Sequence, residues 1–250
     1  MSTDPLELHA RIREFWDQDA AVYDNSPSHA VSHPSIQAAW RATLSRLLPP
    51  APARVLDVGA GTGAIALLAA EFGHRVTAFD LSPGMLAETS RKAAERGLDV
   101  EAIVGAAVEP PTGPFDVVIE RHLLWTLPDP GQALMRWRDA APKGRLVLLE
   151  GIWGGSGPLH DLRERATRLV RQALDVPHEH HGAYDPEVLA SLPLAGRMAP
   201  DLAILAAEEA GWRQVRLHRL HDVEWATRLA SHPLLGWLEH RPRFAVVADA

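Results

Sequence analysis

Cysteine is absent from this sequence of 250 residues. Without thiols the chain can form no disulfide, thiolate metal site or iron–sulfur cluster, and it offers no cysteine nucleophile. Positive charge is in short supply as well: 25 Lys and Arg residues face 32 Asp and Glu residues, which leaves a net charge of −7. That balance argues against a general nucleic-acid-binding protein, because such proteins normally carry a basic face.

Long apolar runs are also missing. The longest, about residues 65–70, is far too short to span a bilayer, and the first 13 residues lack the apolar core of a signal peptide. We therefore expect a cytoplasmic protein without a membrane partner. With 46% apolar residues, a chain of this length can build one large α/β domain.

The chain divides into three regions by its apolar pattern. Residues 5–48 read as helices, which the prolines between Pro49 and Pro52 end. From Arg54 to Glu150, short apolar strands alternate with helices, a rhythm typical of a parallel, doubly wound sheet. Strands are predicted over 54–58, 75–79, 100–104, 115–119 and 145–150. Beyond them we expect helices over 159–174 and 200–210, an irregular stretch over 175–197, and closing strands over 215–220 and 243–247.

The strongest local signal is the segment Val55–Gly63, a strand that runs into a Gly-x-Gly-x-Gly loop. Its glycines let the backbone turn sharply and approach a ligand, and the helix that follows offers unpaired N–H groups. Dinucleotide-binding dehydrogenases use similar loops, which keeps them as an alternative. Two features count against them. Asp57 lies inside the strand, where dehydrogenases usually have an apolar residue, and the third glycine follows the second by two residues instead of three.

Asp80 is the second signal, since it ends the next strand 19 residues after Gly61. A carboxylate at that point can accept two hydrogen bonds from ribose hydroxyls. The alternative is a helix-capping aspartate. It is the weaker interpretation because Ser82 and Pro83 already begin the following helix.

Together, Val55–Gly63 and Asp80 resemble the motifs of class I S-adenosylmethionine-dependent methyltransferases. Residues 115–119 and 121–129 are similar to the fourth-strand motif of that family's small-molecule branch, and residues 15–24 resemble its N-terminal helical lid. The resemblance implies a Rossmann-like domain with a seven-stranded, mostly parallel sheet whose last strand is antiparallel. It also implies four parts: a helical lid over 1–50, a cofactor-binding core over 51–150, a substrate cap over 151–200, and a C-terminal helix with closing strands over 201–250.

The resemblance implies S-adenosylmethionine as the cofactor and indicates its contacts. Gly59 and Gly61 would line its amino-acid end, and Asp57 would help hold the ammonium group through water or through the loop. Asp80 would bind the ribose. Tyr23 could reach the cofactor carboxylate from the lid, and a packed lid aromatic is an equal alternative. The expected cofactor-binding residues are Tyr23, Asp57, Gly59, Ala60, Gly61, Asp80, Leu81, Ala106, Ala107 and Arg121.

The adenine site departs from the family's pattern. After the third strand the family commonly carries Gly-Asp-Ala, whose aspartate accepts a hydrogen bond from the adenine amine, whereas this chain reads Gly105-Ala106-Ala107. Because Ala106 cannot accept through its side chain, adenine must rely on backbone groups of Ala106 and Ala107 or on nearby Glu109. We expect the cofactor to bind with weaker adenine selectivity.

Residues 120–122 follow the fourth strand and should face the methyl group, because ligands lie at the carboxyl ends of parallel strands. An in-line methyl transfer needs an aligned nucleophile and often a base. His122 is therefore the candidate catalytic residue, as a base or as a donor that orients the acceptor. A helix-starting residue bonded to backbone is its alternative. We expect no metal site, since the histidines at 178, 180 and 181 fit a substrate pocket better.

Tryptophan makes up eight of the aromatic residues and has an uneven distribution. Three tryptophans fall on the lid, the fourth-strand exit and the cap, where they suit a planar, partly polar acceptor. The others, including Trp225 and Trp237, fall on helices or closing strands, where packing accounts for them. The expected acceptor-binding residues are Trp16, Trp125, Trp153, His181, Tyr184 and Arg197.

The sequence thus predicts an enzyme that methylates an oxygen or nitrogen atom of a small aromatic or heterocyclic metabolite, as a monomer or homodimer. Its Ala- and Arg-rich composition is typical of GC-rich bacteria, where such genes often serve specialised metabolism. One alternative is C-methylation of a quinone precursor, for which no apolar surface helix is evident. Another is a non-catalytic cofactor-binding scaffold. The missing cysteine excludes radical chemistry and cytosine ring methylation.

Overall fold

The computed structural model describes residues 5–25, 29, 31–152, 157–176 and 184–250. Seven strands form one sheet in the order β3-β2-β1-β4-β5-β7-β6, and β7 runs antiparallel to both of its neighbours. The predicted seven-stranded α/β fold is therefore confirmed. The strands are β1 (Arg54–Val58), β2 (Arg75–Asp80), β3 (Val100–Val104), β4 (Val117–Arg121), β5 (Arg145–Gly151), β6 (Arg213–Arg219) and β7 (Arg243–Asp249).

Two strands begin at positions other than those predicted. β4 begins at Val117 instead of residue 115, because the Asp116 carboxylate already binds the backbone N–H and side chain of Arg54. β6 begins at Arg213 instead of residue 215. Its register shifts after Arg213, and Gln214 has a φ of +51°. Such a bulge interrupts the apolar alternation from which strands are predicted.

Helices cover both faces of the sheet, and proline is the first residue of eight of them, where its missing N–H costs nothing. None of the described helices is long and apolar enough to cross a bilayer. The helices are α1 (Pro5–Asp19), α2 (Pro34–Leu47), α3 (Ala64–Glu71), α4 (Pro83–Glu95), α5 (Pro130–Ala140), α6 (Pro158–Ala173), α7 (Pro186–Ala190), α8 (Pro200–Glu209), α9 (His221–Ala230) and α10 (Pro233–Leu238).

Three of these helices were not predicted. α7 and α10 have five and six residues, too few to show helical periodicity. In α9, apolar residues lie on two faces: Val223 is buried, whereas Trp225 and Leu229 are exposed. The apolar residues of α9 therefore do not form the single stripe that marks an amphipathic helix.

The hydrophobic core has two layers because neighbouring strand residues point to opposite faces of the sheet. Val55 of β1 packs with Trp40 of α2 on one face, in a layer that also includes α3 and α9. Leu56 packs with Trp137 of α5 on the other face, in a layer that also includes α8. The carboxyl ends of β1, β2 and β4 are left for the site.

Two tryptophans contradict the expectation from sequence. Trp40 and Trp137 are fully buried, as packing predicts. Trp225 and Trp237 expose 55% and 66% of their surface. The prediction that packing accounts for this second pair is wrong, because α9 and α10 direct both indoles outward.

Candidate functional site

The glycine loop between β1 and α3 forms the centre of the site. Gly59 and Ala60 donate their N–H groups to the Phe79 carbonyl at 2.7 and 3.2 Å, which ties the loop to β2. Gly59 has a φ of +66°, and a Cβ there would lie 2.8 Å from Leu123. Gly61 has a φ of +56°, and a Cβ there would lie 3.9 Å from the Tyr23 ring. Glycine is thus needed for backbone conformation at both positions, and for space at Gly59.

Asp80 holds the other side of the loop. One carboxylate oxygen accepts from Gly61 N at 2.8 Å, and the other accepts from Ser82 N at 2.8 Å. Burial raises the pKa of Asp80 to about 6, although these N–H groups oppose the shift. A carboxylate has about four acceptor positions, and backbone N–H groups of Gly61, Leu81 and Ser82 do not use all of them.

A cavity of about 770 Å³, including its open mouth, extends from the loop. Besides the expected residues, it is bounded by apolar side chains that the sequence analysis missed, among them Ile12, Met85 and Leu127. The expected residues that line it are Trp16, Tyr23, Gly59, Gly61, Asp80, Leu81, Ala106, Ala107, Arg121 and His122.

The other expected residues lie elsewhere. Asp57 is buried beneath the loop and accepts from the backbone N–H of Ala66, and burial raises its pKa to about 7. Tyr184 packs on Phe15 and Trp16 and, at a ring distance of 6.4 Å, on Trp125, and neither Tyr184 nor Trp125 lines the cavity. Trp153 and His181 lie outside the described residues, as do the histidines at 178 and 180.

Arg197, expected to contact the acceptor, lies outside this cavity. Its side chain is exposed, whereas that of its neighbour Met198 is completely buried. Gly196, with a φ of +63°, makes a turn just before this pair. The turn directs Met198 into the core and leaves Arg197 facing solvent.

The N-terminal segment is fastened to the loop by two carboxylates that the sequence analysis missed. Asp17 accepts from the Ser82 hydroxyl at 2.5 Å and from Gly84 N at 2.9 Å, at the start of α4. Asp24 accepts from the Thr62 hydroxyl at 2.7 Å and pairs with Lys92. These contacts place Trp16 and Tyr23 over the cavity.

At the far end of the cavity, the backbone around Ala106 is already engaged. The Trp137 indole donates to the Ala107 carbonyl at 2.8 Å, and Glu109 N donates to the Ala106 carbonyl at 2.8 Å. The Glu109 side chain is exposed and does not line the cavity, so it does not take the place of the family's aspartate. No carboxylate among the described residues bounds this end.

His122 follows β4 with a φ of +63°, rare for a side chain other than glycine. Its Nε2 lies 3.4 Å from the Arg243 guanidinium, and its Nδ1 lies 3.6 Å from the Glu150 carboxylate. Arginine only donates, so Nε2 accepts and the proton resides on Nδ1. Burial, reinforced by Arg243 and Arg121, lowers the pKa of His122 well below its usual value. The ring is therefore neutral.

Two buried glutamates support this turn. The Leu124 N–H donates to both carboxylates, at 3.4 Å to Glu120 and 3.1 Å to Glu150. Burial raises the pKa of Glu120 to about 8, so Glu120 is mostly protonated at neutral pH. The sequence could have indicated both glutamates, since each lies near the end of an otherwise apolar strand.

These residues fit S-adenosylmethionine. The loop at Gly61 presents backbone without a side chain in the way, and Asp80 keeps acceptor positions for ribose hydroxyls. Leu81 and Met85 add apolar surface suited to a nucleobase. The fold and site thus define an α/β protein that binds a nucleoside-containing cofactor at the carboxyl ends of its parallel strands.

Comparison with known proteins gives the family. Residues 33–192, more than half of the chain, match the model of a methyltransferase domain. The chain belongs to this family and is an S-adenosylmethionine-dependent methyltransferase.

Three relatives illustrate the match. Nocamycin O-methyltransferase of Saccharothrix syringae is 33% identical over 202 residues, which cover 76% of this chain and 70% of that protein. Demethylmenaquinone methyltransferase of Renibacterium salmoninarum is 30% identical over 216 residues, covering 82% and 88%. The structure of Haemonchus contortus phosphoethanolamine N-methyltransferase 2 with S-adenosyl-L-methionine has a TM-score of 0.63 at 19% identity, covers 95% of this chain and is matched over 59% of its own length. That structural likeness shows the fold alone.

Proposed function

We propose that this methyltransferase acts on an oxygen or nitrogen atom of a small, planar aromatic or heterocyclic metabolite in bacterial specialised metabolism. One observation carries the proposal: a single cavity joins the cofactor loop at Gly59 and Gly61 to His122 and the Trp16 ring. An aromatic wall beside the methyl position suits a planar acceptor, because rings stack face to edge or offset on one another.

At the cofactor end, each expected residue has a role suited to its position. Gly59 and Gly61 leave room for the amino-acid part, and Asp80 would accept from the ribose hydroxyls. Tyr23 and Arg121 line the same space, and a guanidinium matches a carboxylate in shape and charge, although that of Arg121 also donates to the His29 carbonyl at 2.8 Å. The bound cofactor would supply an electrophilic methyl group.

Five more expected cofactor residues complete this assignment. Asp57 and Ala60 would act indirectly by shaping the loop, because neither lines the cavity. Leu81 would cover one face of the adenine. The backbone at Ala106 and Ala107 would border its edge without a side-chain acceptor.

At the acceptor end, we assign His122 an orienting role. Its Nε2 already accepts from Arg243 and its Nδ1–H points to Glu150, so action as a base would require Nε2 to leave Arg243. Holding the acceptor against the ring needs no such rearrangement. Trp125 and Tyr184 would act through Trp16, by fixing the aromatic wall.

The relatives support two kinds of methylation on a small-molecule acceptor. The first candidate is O-methylation, which the name of the nocamycin enzyme describes. The second is methylation of a quinone precursor, and the demethylmenaquinone enzyme favours it because that match covers 88% of the relative.

The test is turnover with labelled S-adenosylmethionine and a panel of phenols, nitrogen heterocycles and demethylated quinols. The proposal expects a labelled O- or N-methyl product from the first two groups. A product only from the quinols, with the label on carbon, would establish the second candidate instead. No labelled product from any compound would contradict both.

Variants of His122 then separate its two possible roles. If His122 orients the acceptor, His122→Ala lowers kcat/KM without changing the shape of the pH–rate profile. A base contributes about 10²- to 10⁴-fold to rate, and its removal abolishes one limb of that profile. His218→Ala, on the exposed strand β6, is the matched control and should leave both unchanged.

A further inference from the structure

An exposed apolar surface lies on α6, α9 and α10, away from the cofactor loop. It consists of Leu162, Leu169, Trp225, Leu229, Leu234 and Trp237, each at least 55% exposed. Exposed apolar residues scattered singly are ordinary, but a contiguous group marks an interaction site. Here the group includes two of the largest apolar side chains.

Contacts between the helices make this surface continuous. The Arg228 guanidinium lies 4.6 Å from the centre of the Trp225 ring and also stacks on Trp237, so one arginine joins the two indoles. α6 is attached beside them, because Arg163 donates to the backbone carbonyl of Leu238 and Arg171 pairs with Glu239. The exposed leucines of α6 thus continue the apolar surface of α10.

The charge of this surface is positive. The acidic side chains around it are paired: Glu164 with Arg241, Glu239 with Arg171, and Glu224 with Arg219. By contrast, Arg165 and Arg168 are exposed on α6 and form no ion pair with any residue that the structure describes. Apart from Glu164, which is paired with Arg241, the acidic residues of this helix are Asp161 in its first turn and Asp175 just beyond its end.

This charge pattern selects between two kinds of occupant. A second copy of the chain, packing α6 antiparallel on α6, would place Arg165 of one copy near Arg168 of the other, and like charges repel. An anionic lipid surface attracts both arginines and admits tryptophan and leucine at its headgroup boundary. Amphipathic helices that lie in the membrane interface typically combine leucine, arginine and tryptophan.

We propose that the surface formed by α6, α9 and α10 binds peripherally to an anionic lipid bilayer. Trp225 and Trp237 lie at the headgroup boundary, the exposed leucines of α6 enter the acyl region, and Arg165 and Arg168 contact lipid phosphates. This inference does not depend on the methyl acceptor. It gives a function to the two tryptophans that packing leaves unexplained.

The experiment is sedimentation of the full chain with phosphatidylcholine vesicles, with and without phosphatidylglycerol. We expect binding to the anionic vesicles that weakens with salt. Each arginine near such a surface contributes about a fivefold change in partition, so Arg165→Gln/Arg168→Gln should lower binding about 25-fold. Trp225→Ala/Trp237→Ala should lower it about tenfold or more.

Matched controls lie on the opposite face of the sheet. Leu205→Ala on α8 and Arg136→Gln on α5 remove an exposed leucine and an exposed arginine, and neither should alter vesicle binding. Circular dichroism checks that each variant is folded. Absence of vesicle binding, or equal losses in the control variants, would overturn the proposal. So would a concentration-dependent dimer that only the surface variants abolish, since the surface would then belong to a second copy.

Discussion

Replacing Ala106 with aspartate should create a selectivity for adenine that the native chain lacks. In the structure, the adenine end of the cavity is bordered by Ala106 and Ala107, whose carbonyls already accept from Glu109 N and the Trp137 indole. The native chain should therefore bind S-adenosylhomocysteine and its inosine analogue with similar affinity. Inosine replaces the amine donor by a carbonyl acceptor, so only a side-chain acceptor would distinguish the two.

The magnitude follows from the charge of the new group. A hydrogen bond to an ionised acceptor contributes about 1.5–3 kcal/mol when it is well formed. Ala106 is partly exposed, so water competes and the lower end applies. Since 1.4 kcal/mol is tenfold in affinity, Ala106→Asp should favour the adenosine compound by about tenfold. Titration calorimetry with both compounds, on the native chain and the variant, measures the ratio directly.

The matched control is Glu109→Gln, which alters the nearby exposed carboxylate and should leave the ratio near one. The reasoning is refuted if the native chain prefers the adenosine compound by tenfold, because another group would then contact the amine. It is refuted equally if Ala106→Asp binds both compounds well and still does not discriminate.

Three further outcomes follow from the buried polar groups. The pKa of Asp80 is raised to about 6, and ribose hydroxyls donate to its charged form. Affinity for S-adenosylhomocysteine should therefore fall about tenfold per pH unit below 6. Calorimetry on Asp80→Asn should show an affinity without this pH dependence. Glu120 keeps its proton in the folded chain up to about pH 8 but loses it near 4.5 when unfolded. Stability therefore falls as pH rises through this window, and urea titrations should show Glu120→Gln gaining about 1.4 kcal/mol per pH unit over the native chain. Trp137→Phe leaves the Ala107 carbonyl without its donor and should cost about 1–3 kcal/mol, whereas the exposed Trp225→Phe should change stability by about 0.5 kcal/mol or less.

The geometry of the proposed cofactor loop could be predicted because its determinants are local. The turn at Gly59 and Gly61 follows directly from β1, and Asp80 ends the neighbouring strand, so chain order places them together. The departure at Ala106 was equally visible. Each of these positions is defined by a strand end, and parallel strands bring their carboxyl ends to one edge.

The acceptor half could not be predicted in the same way, because its contacts join distant parts of the chain. Arg243 meets His122 across 121 positions, and Asp17 reaches Gly84 across 67. Arg197 shows a further limit of prediction from sequence. It was proposed as a polar residue of the expected cap, but one glycine turn decides which of two neighbouring residues enters the core.

Buried carboxyl groups and exposed apolar surface mark this molecule's two proposed functional regions. Glu120 and Glu150 are completely buried at strand ends, which costs free energy that a pair of leucines would not. Trp225 and Trp237 are exposed, which forgoes the stabilisation that their burial would provide. Each departure lowers the stability of the isolated chain, a cost that a bound partner can offset. The acidic pair lies beneath the methyl-transfer cavity, and the indoles lie on a basic surface, so a cofactor with its acceptor and an anionic bilayer are the respective compensations we infer.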